Sequence, residues 1–143
     1  MKELRTELII NAPVEKVWKV LTDFPQYPNW NPFIKYIQGN VQEGEKIQVK
    51  LVLPGSQGMV FTPKVLLYRK NNTFAWQGHL LIPGLFDGEH RFELHKINSD
   101  TTKLVQAERF GGILVPFFTK MIDVKTKEGF EAMNAKLKER CEP

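Results

Sequence analysis

Cysteine is nearly missing from this chain of 143 residues: Cys141 is the only one, so no disulfide can form within it. A single thiol at the C-terminal end is read as incidental, not catalytic. Histidine is scarce as well, limited to His79, His90 and His95. No second histidine or cysteine stands near His90, so a metal site is not expected, and no cofactor is implied. Nucleophile elbows, phosphate loops and zinc spacings are all lacking. No apolar run reaches the ~18 residues of a helical membrane span, so stable membrane insertion is not expected. Met1–Arg5 alternates like a strand and lacks the apolar core of a secretory signal, which favours a cytoplasmic, reducing location. Neither charge sign dominates: 20 Lys and Arg oppose 16 Asp and Glu, a net +4. The lysines are scattered over presumed outward positions, without the clustered basic face of a nucleic-acid binder. No linker, repeat or low-complexity stretch interrupts the chain, and its length fits one domain over 1–143 with a substantial core.

Periodicity supplies the elements. Leu4 to Ile10 reads as a strand. Asn11-Ala12-Pro13 marks a helix start, with a capping-type side chain ahead of a first-turn proline. Val14, Val17, Trp18 and Leu21 then form one apolar helical face ending near Asp23. Three prolines between Phe24 and Pro32 allow only a compact turn or a one-turn helix, anchored by Tyr27 and Trp30. Strands follow over Phe33–Gln38, around Ile47–Leu53, over Met59–Arg69 with an internal Pro63 that demands an edge or bulge, and over Thr73–Ile82. Asn71-Asn72 and Pro83-Gly84 are turn signals. From Phe117 to Arg140 only Gly129 disfavours helix. Phe118, Met121, Ile122, Phe130, Met133 and Leu137 make an intermittent apolar stripe on a helix ~36 Å long, comparable with a ten-residue strand of ~33 Å. Helices segregated over an antiparallel sheet make the class α+β.

The last two strands carry the chemistry. Phe86, Gly88, His90, Phe92 and Leu94 share one face, and Asp87, Glu89, Arg91, Glu93 and His95 share the other. Leu104, Gln106, Glu108 and Phe110 form the matching face of the next strand. A hairpin centred on Ser99 sets Leu94 against Leu104, Phe92 against Gln106 and His90 against Glu108. Directly opposed side chains lie ~5 Å apart, within reach of an imidazole–carboxylate hydrogen bond. Glutamate is seldom buried without a partner, so the pair reads as a polar spot in an apolar cavity or as a structural pair that fixes register. Trp76 falls on the same face near Phe92, with Gly78 beneath His90, if the intervening loop has odd length; a strict two-residue turn at Pro83-Gly84 sets it opposite Arg91 instead. Ordinary burial makes Trp76 a core residue before a ligand contact. His79 and His95 fall on the outward parity, and Trp30 and Phe33 read as cap packing. Gly111–Phe118 is a hinge-like apolar segment, read as packing at the helix entrance.

Several stretches carry a family resemblance. Ile9-Ile10-Asn11-Ala12-Pro13-Val14-Glu15-Lys16-Val17-Trp18 resembles the first strand and helix of the SRPBCC superfamily, the helix-grip proteins. These include START lipid-transfer domains, pollen-allergen-type proteins and polyketide cyclases/dehydrases. Leu21-Thr22-Asp23-Phe24 and Tyr27-Pro28-Asn29-Trp30-Asn31-Pro32-Phe33 resemble the superfamily's next segment. The stretch from Trp76-Gln77-Gly78 through Pro83 to Phe92, with Glu108-Arg109-Phe110-Gly111-Gly112, is similar to a bacterial polyketide-cyclase-like subgroup. The resemblance implies a curved seven-stranded antiparallel sheet, two short N-terminal helices and one long C-terminal helix over an internal cavity.

Three functions compete. The first is carriage of a small hydrophobic molecule, lipid-like or aromatic, in a cavity lined by Phe61, Trp76, His90, Phe92, Glu108, Phe110 and Met121. The second is a cyclase or dehydratase in which His90 is the general acid/base and Glu108 orients it. The third is a chaperone-activator-like interaction module using the outer sheet face, which is charged and offers no apolar patch. Fold alone does not choose among them.

Overall fold

Strand β1 (Lys2–Ile10) leads to helix α1 (Val14–Leu21), a 3-10 turn over Phe24–Gln26 and the one-turn helix α2 (Tyr27–Trp30). Strands β2 (Ile34–Gln38), β3 (Gln48–Leu51), β4 (Met59–Phe61), β5 (Lys64–Arg69), β6 (Thr73–Leu80), β7 (Phe86–Asn98) and β8 (Thr101–Gly111) follow. The chain closes with a 3-10 turn over Val115–Phe118, α3 (Thr119–Met121), a π-turn over Ile122–Thr126 and α4 (Lys127–Cys141). This computed structural model describes residues 2–80 and 83–143. The last two residues of the strand expected over Thr73–Ile82 lie outside the described residues.

The strands make two antiparallel sheets instead of the expected single sheet of seven. Five strands pair in the order β1-β8-β7-β6-β5, and three in the order β2-β3-β4. The physical cause is Pro63. The stretch expected as one strand from Met59 to Arg69 stops at Phe61 and restarts at Lys64 in the other sheet. Proline has no N–H for a ladder, and its carbonyl accepts from Ile47 N–H at 3.0 Å. With Gly44 N–H to the Val65 carbonyl (2.8 Å) and Val65 N–H to the Glu45 carbonyl (2.9 Å), this bond joins the two sheets at one end.

Local chemistry fixes the connections. Val14, Val17, Trp18 and Leu21 are the buried face of α1, as their spacing requires. Asn11 does not cap that helix. Pro13 occupies the cap position, and its carbonyl accepts from the N–H groups of Lys16 and Val17. The Tyr27 hydroxyl donates to the Leu21 carbonyl, and the Asn31 side-chain oxygen accepts from the N–H groups of Phe33 and Ile34, turning the chain into β2. Asn71, at φ 61°, makes the turn from β5 to β6.

The C-terminal helical region differs from the uninterrupted helix expected over Phe117–Arg140. Its downstream half buries Phe130, Met133, Leu137 and Cys141, and Ile122 is buried within the π-turn. Phe118 and Met121, expected on the same stripe, are 39% and 37% exposed. A π-turn adds a residue to one turn and rotates the upstream residues relative to the downstream helix. The apolar stripe is therefore split, and its upstream part faces a cavity mouth. Cys141 is not a loose tail thiol: it is fully buried in the core, and burial pushes its pKa up to about 11.

Candidate functional site

The two sheets and the start of the C-terminal helical region enclose a cavity of about 410 Å³. Of the seven residues expected around it, Phe61, Trp76, Glu108, Phe110 and Met121 line it, and His90 and Phe92 do not. The reason is strand register. Trp76 pairs with His90, Phe74 with Phe92, and Gly78 with Gly88. Trp76 thus keeps the cavity-facing parity and the closeness to Phe92 of the odd-length-loop reading, but the register is two residues from the one that set Gly78 beneath His90. Directly opposed, the Trp76 indole stacks on the imidazole, with centroids 4.8 Å apart and planes 13° apart. The indole faces the cavity and His90 lies behind it, 1% exposed. Phe92 lies one pair deeper, against the Phe74 ring.

Between β7 and β8 the register is the one expected, with His90 opposite Glu108, Phe92 opposite Gln106 and Leu94 opposite Leu104. His90 Nδ1 lies 2.9 Å from Glu108 Oε1. A carboxylate only accepts, so Nδ1–H is the donor. On the far side of the ring, Nε2 lies 3.0 Å from Gln106 Oε1. Gln106 Nε2 donates to Asn134 Oδ1 at 2.7 Å, and Asn134 Nδ2 donates to Thr6 Oγ1 at 2.8 Å. The Thr6 hydroxyl donates back to the Gln106 carbonyl at 2.9 Å. Thr6, Gln106 and Asn134 thus form a closed run of hydrogen bonds that ties β1, β8 and α4 together behind the cavity, and the His90 contact with Gln106 joins β7 to it. The Phe130 ring packs edge-on against His90 at 5.0 Å and completes its enclosure.

The remaining walls come largely from residues outside the expected set. Phe33, read as cap packing, lines the cavity and stands 5.4 Å from Phe130. Leu51 and Leu53 come from β3 and the residues after it, Phe86 from β7, and Leu114 and Phe118 from the segment before α3. That segment is held to the β6–β7 connection by Ile113 N–H to the Gly84 carbonyl (3.1 Å) and Leu114 N–H to the Leu85 carbonyl (3.0 Å). His79 is exposed, as its parity requires, yet the residue borders the cavity, and its ring bonds Asp87 at 2.7 Å. That bond holds the Asp87 carboxyl below its ordinary value of 3.8, helped by the Gly84 N–H. His95 bonds Glu93 at the surface. Gln106 had a visible signal, the buried parity of its strand. Asn134 had one too, four residues after Phe130 on the buried helical face. The polar chain they share with Thr6 had none.

Among the described residues, no group of three or more His, Cys, Asp or Glu side chains is placed to hold a metal ion. No described helix is long and apolar enough to cross a membrane.

A family profile described as polyketide cyclase/dehydrase and lipid transport matches residues 1–142. The chain belongs to this family. Solved structures similar to this polyketide cyclase/dehydrase family member include the Zhui aromatase/cyclase from Streptomyces sp. R1128, at 17% identity and TM-score 0.74, covering 96% of this chain and 92% of that one. A START superfamily protein from Mycobacterium smegmatis is similar at 21% identity and TM-score 0.75, covering 97% and 96%. A norcoclaurine synthase point mutant from Thalictrum flavum, in complex with a transition-state analogue, is similar at 16% identity and TM-score 0.72, covering 98% and 93%. At these identities the likeness is one of fold, the helix-grip α+β arrangement. No curated protein matches the chain.

Proposed function

We propose that this protein binds and carries a small hydrophobic molecule, lipid-like or aromatic, in the cavity between its sheets. The observation that carries this reading is an apolar chamber of about 410 Å³, walled by Phe33, Phe61, Trp76, Phe86 and Phe110, with the Glu108 carboxylate at one wall. That volume lies within the ~300–1,000 Å³ of small-molecule sites, which pair apolar walls with a few orienting polar groups. Membership of a family described as polyketide cyclase/dehydrase and lipid transport supports both a binding role and a cyclase role.

The Glu108–His90 contact favours a second reading, a cyclase or dehydratase, with roles reversed from those the sequence suggested. His90 lies behind Trp76 with both ring nitrogens engaged, so its ring does not reach the cavity. Glu108 lines it. In an enzyme, Glu108 is the proton-transfer group and His90 the residue that positions it. Native mass spectrometry of the purified protein tests the first reading: one retained hydrophobic molecule per chain is expected. Absence of such a molecule, together with non-saturable binding of an apolar dye, overturns it. Conversion of the retained molecule by the protein moves the conclusion to the second reading.

A further inference from the structure

The cavity holds one strong acceptor without a partner. Glu108 Oε1 accepts from His90, but no donor among the described residues meets Oε2. The direction of Oε2 is set by its surroundings. His90 cannot turn away, because Gln106 holds its other nitrogen and Trp76 and Phe130 clamp its faces. With Oε1 fixed, Oε2 lies over the bare backbone of Gly88, where an added Cβ would stand 2.1 Å from it. Gly88 itself lines the cavity. The missing side chain is what leaves this oxygen room.

Besides Glu108, the polar groups on the lining belong to Ser56, His79, Thr126 and the Trp76 indole, none of them a second carboxylate. Ser56 bonds the Leu53 backbone, His79 bonds Asp87, and Thr126 is largely buried in the helical wall. The rest of the wall around Oε2 is aromatic and aliphatic. An acceptor left unpaired in such a setting is costly once a ligand has displaced water from it, and a ligand donor removes that cost. A ligand carboxylate would instead set like charge against Glu108.

From these contacts we infer, building on the carrier reading above, that the ligand is a mostly apolar molecule bearing a neutral hydroxyl that donates to Glu108 Oε2, and that carboxylic acids of the same shape are rejected. The chain is thus a receptor for hydrophobic alcohols or phenols, not for fatty or aromatic acids. Glu108 is the specificity-determining group, and His90, Gln106 and Gly88 position it.

Three probes of one shape test this near neutral pH by displacement of an apolar dye: 2-naphthol, its methyl ether and 2-naphthoic acid. The naphthol is expected to bind roughly ten- to a hundredfold tighter than the ether, the worth of one hydrogen bond to a charged acceptor. The naphthoate is expected to bind more weakly still. In Glu108→Gln the naphthoate is expected to gain affinity and the naphthol to lose it. Gly88→Ala, which places a methyl group where Oε2 lies, is expected to narrow the gap between naphthol and ether. Saturable binding with equal affinities for all three probes overturns this inference and leaves the carrier reading standing. Tighter binding of the naphthoate overturns it as well. Failure of every probe and of the dye to bind saturably removes the carrier reading and this inference with it.

Discussion

Trp76 lies flat on His90 with 4.8 Å between ring centroids, and the cavity touches the indole, not the imidazole. An offset or near-parallel aromatic contact of this kind contributes about 0.5–1.5 kcal/mol beyond the area it buries. Its larger effect is to seal the histidine from anything the cavity holds.

Trp76→Ala is therefore expected to cost about 3–5 kcal/mol in urea denaturation, the range for truncating a buried aromatic. It is also expected to open a path to His90. Diethylpyrocarbonate labelling followed by peptide mass spectrometry checks this: in the native protein the exposed His79 and His95 label first, and in the variant His90 labels at a comparable rate. A His90 as protected in the variant as in the parent would show that other walls enclose it.

The split helical stripe separates two variants of similar chemistry. Phe130 is fully buried, so Phe130→Ala is expected to cost about 3–5 kcal/mol. Met121 is 37% exposed at the cavity mouth, and Met121→Ala is expected to fall well below the ~2–5 kcal/mol of a buried methionine. Equal costs would mean that the π-turn does not divide the stripe in solution.

Gly129→Ala sets helix propensity against packing. Alanine gains about 1 kcal/mol over glycine in a helix interior. A Cβ at this position, however, would stand 2.6 Å from Phe33 Cδ1, and the Phe33 ring is boxed in by Phe130. Overpacking of about 1–3 kcal/mol is expected to win, so thermal denaturation should show a net loss despite the better helix former. A stabilised variant would show that Phe33 yields freely.

Asp87 and Cys141 give two pH windows. The Asp87 carboxyl is held below its ordinary 3.8 in the folded protein, chiefly by His79. Its contribution is thus present above that value and is lost as pH falls through the lower folded value. The stability gap between parent and Asp87→Asn should close over that acidic range. The Cys141 thiol is raised from 9.0 to about 11 by burial, so its contribution is complete below pH 9.0 and lost as pH rises toward 11. Cys141→Ala should remove that alkaline component, and native Cys141 should react slowly with a thiol reagent that labels the unfolded chain at once.

Legibility in the sequence tracked the distance over which each signal acts. The β7–β8 pairing could be read from the clean alternation in both strands, since a one-residue slip would have buried Arg91 and Glu93. The turn itself sets Asn98 opposite Thr101, and a bulge between Lys96 and Asn98 brings the strands into the expected register. The β6–β7 pairing could not, because the longer connection through Pro83 and Gly84 leaves the register free by two residues. That freedom decided which residue of β7 the tryptophan covers, and it covers His90. Phe118 and Met121 depart from the expected stripe because a π-turn has no periodicity of its own and shifts the phase of its neighbours. The Thr6–Gln106–Asn134 run lies beyond sequence reading, since each of its members is ordinary alone and they are brought together only by packing.

The break at Pro63 has a consequence for traffic in and out of the cavity. Among the described residues, every backbone hydrogen bond between the two sheets lies at Gly44–Ile47 and Pro63–Val65, at one end of the seam. Toward Met59 and Phe61 the sheets meet through side chains, the Phe61 ring resting over Gly78. Parting them there sacrifices contact area but no ladder bond, so local opening is far less costly than global unfolding. Under the carrier reading proposed above, guest exchange and chain stability would then be governed by different barriers.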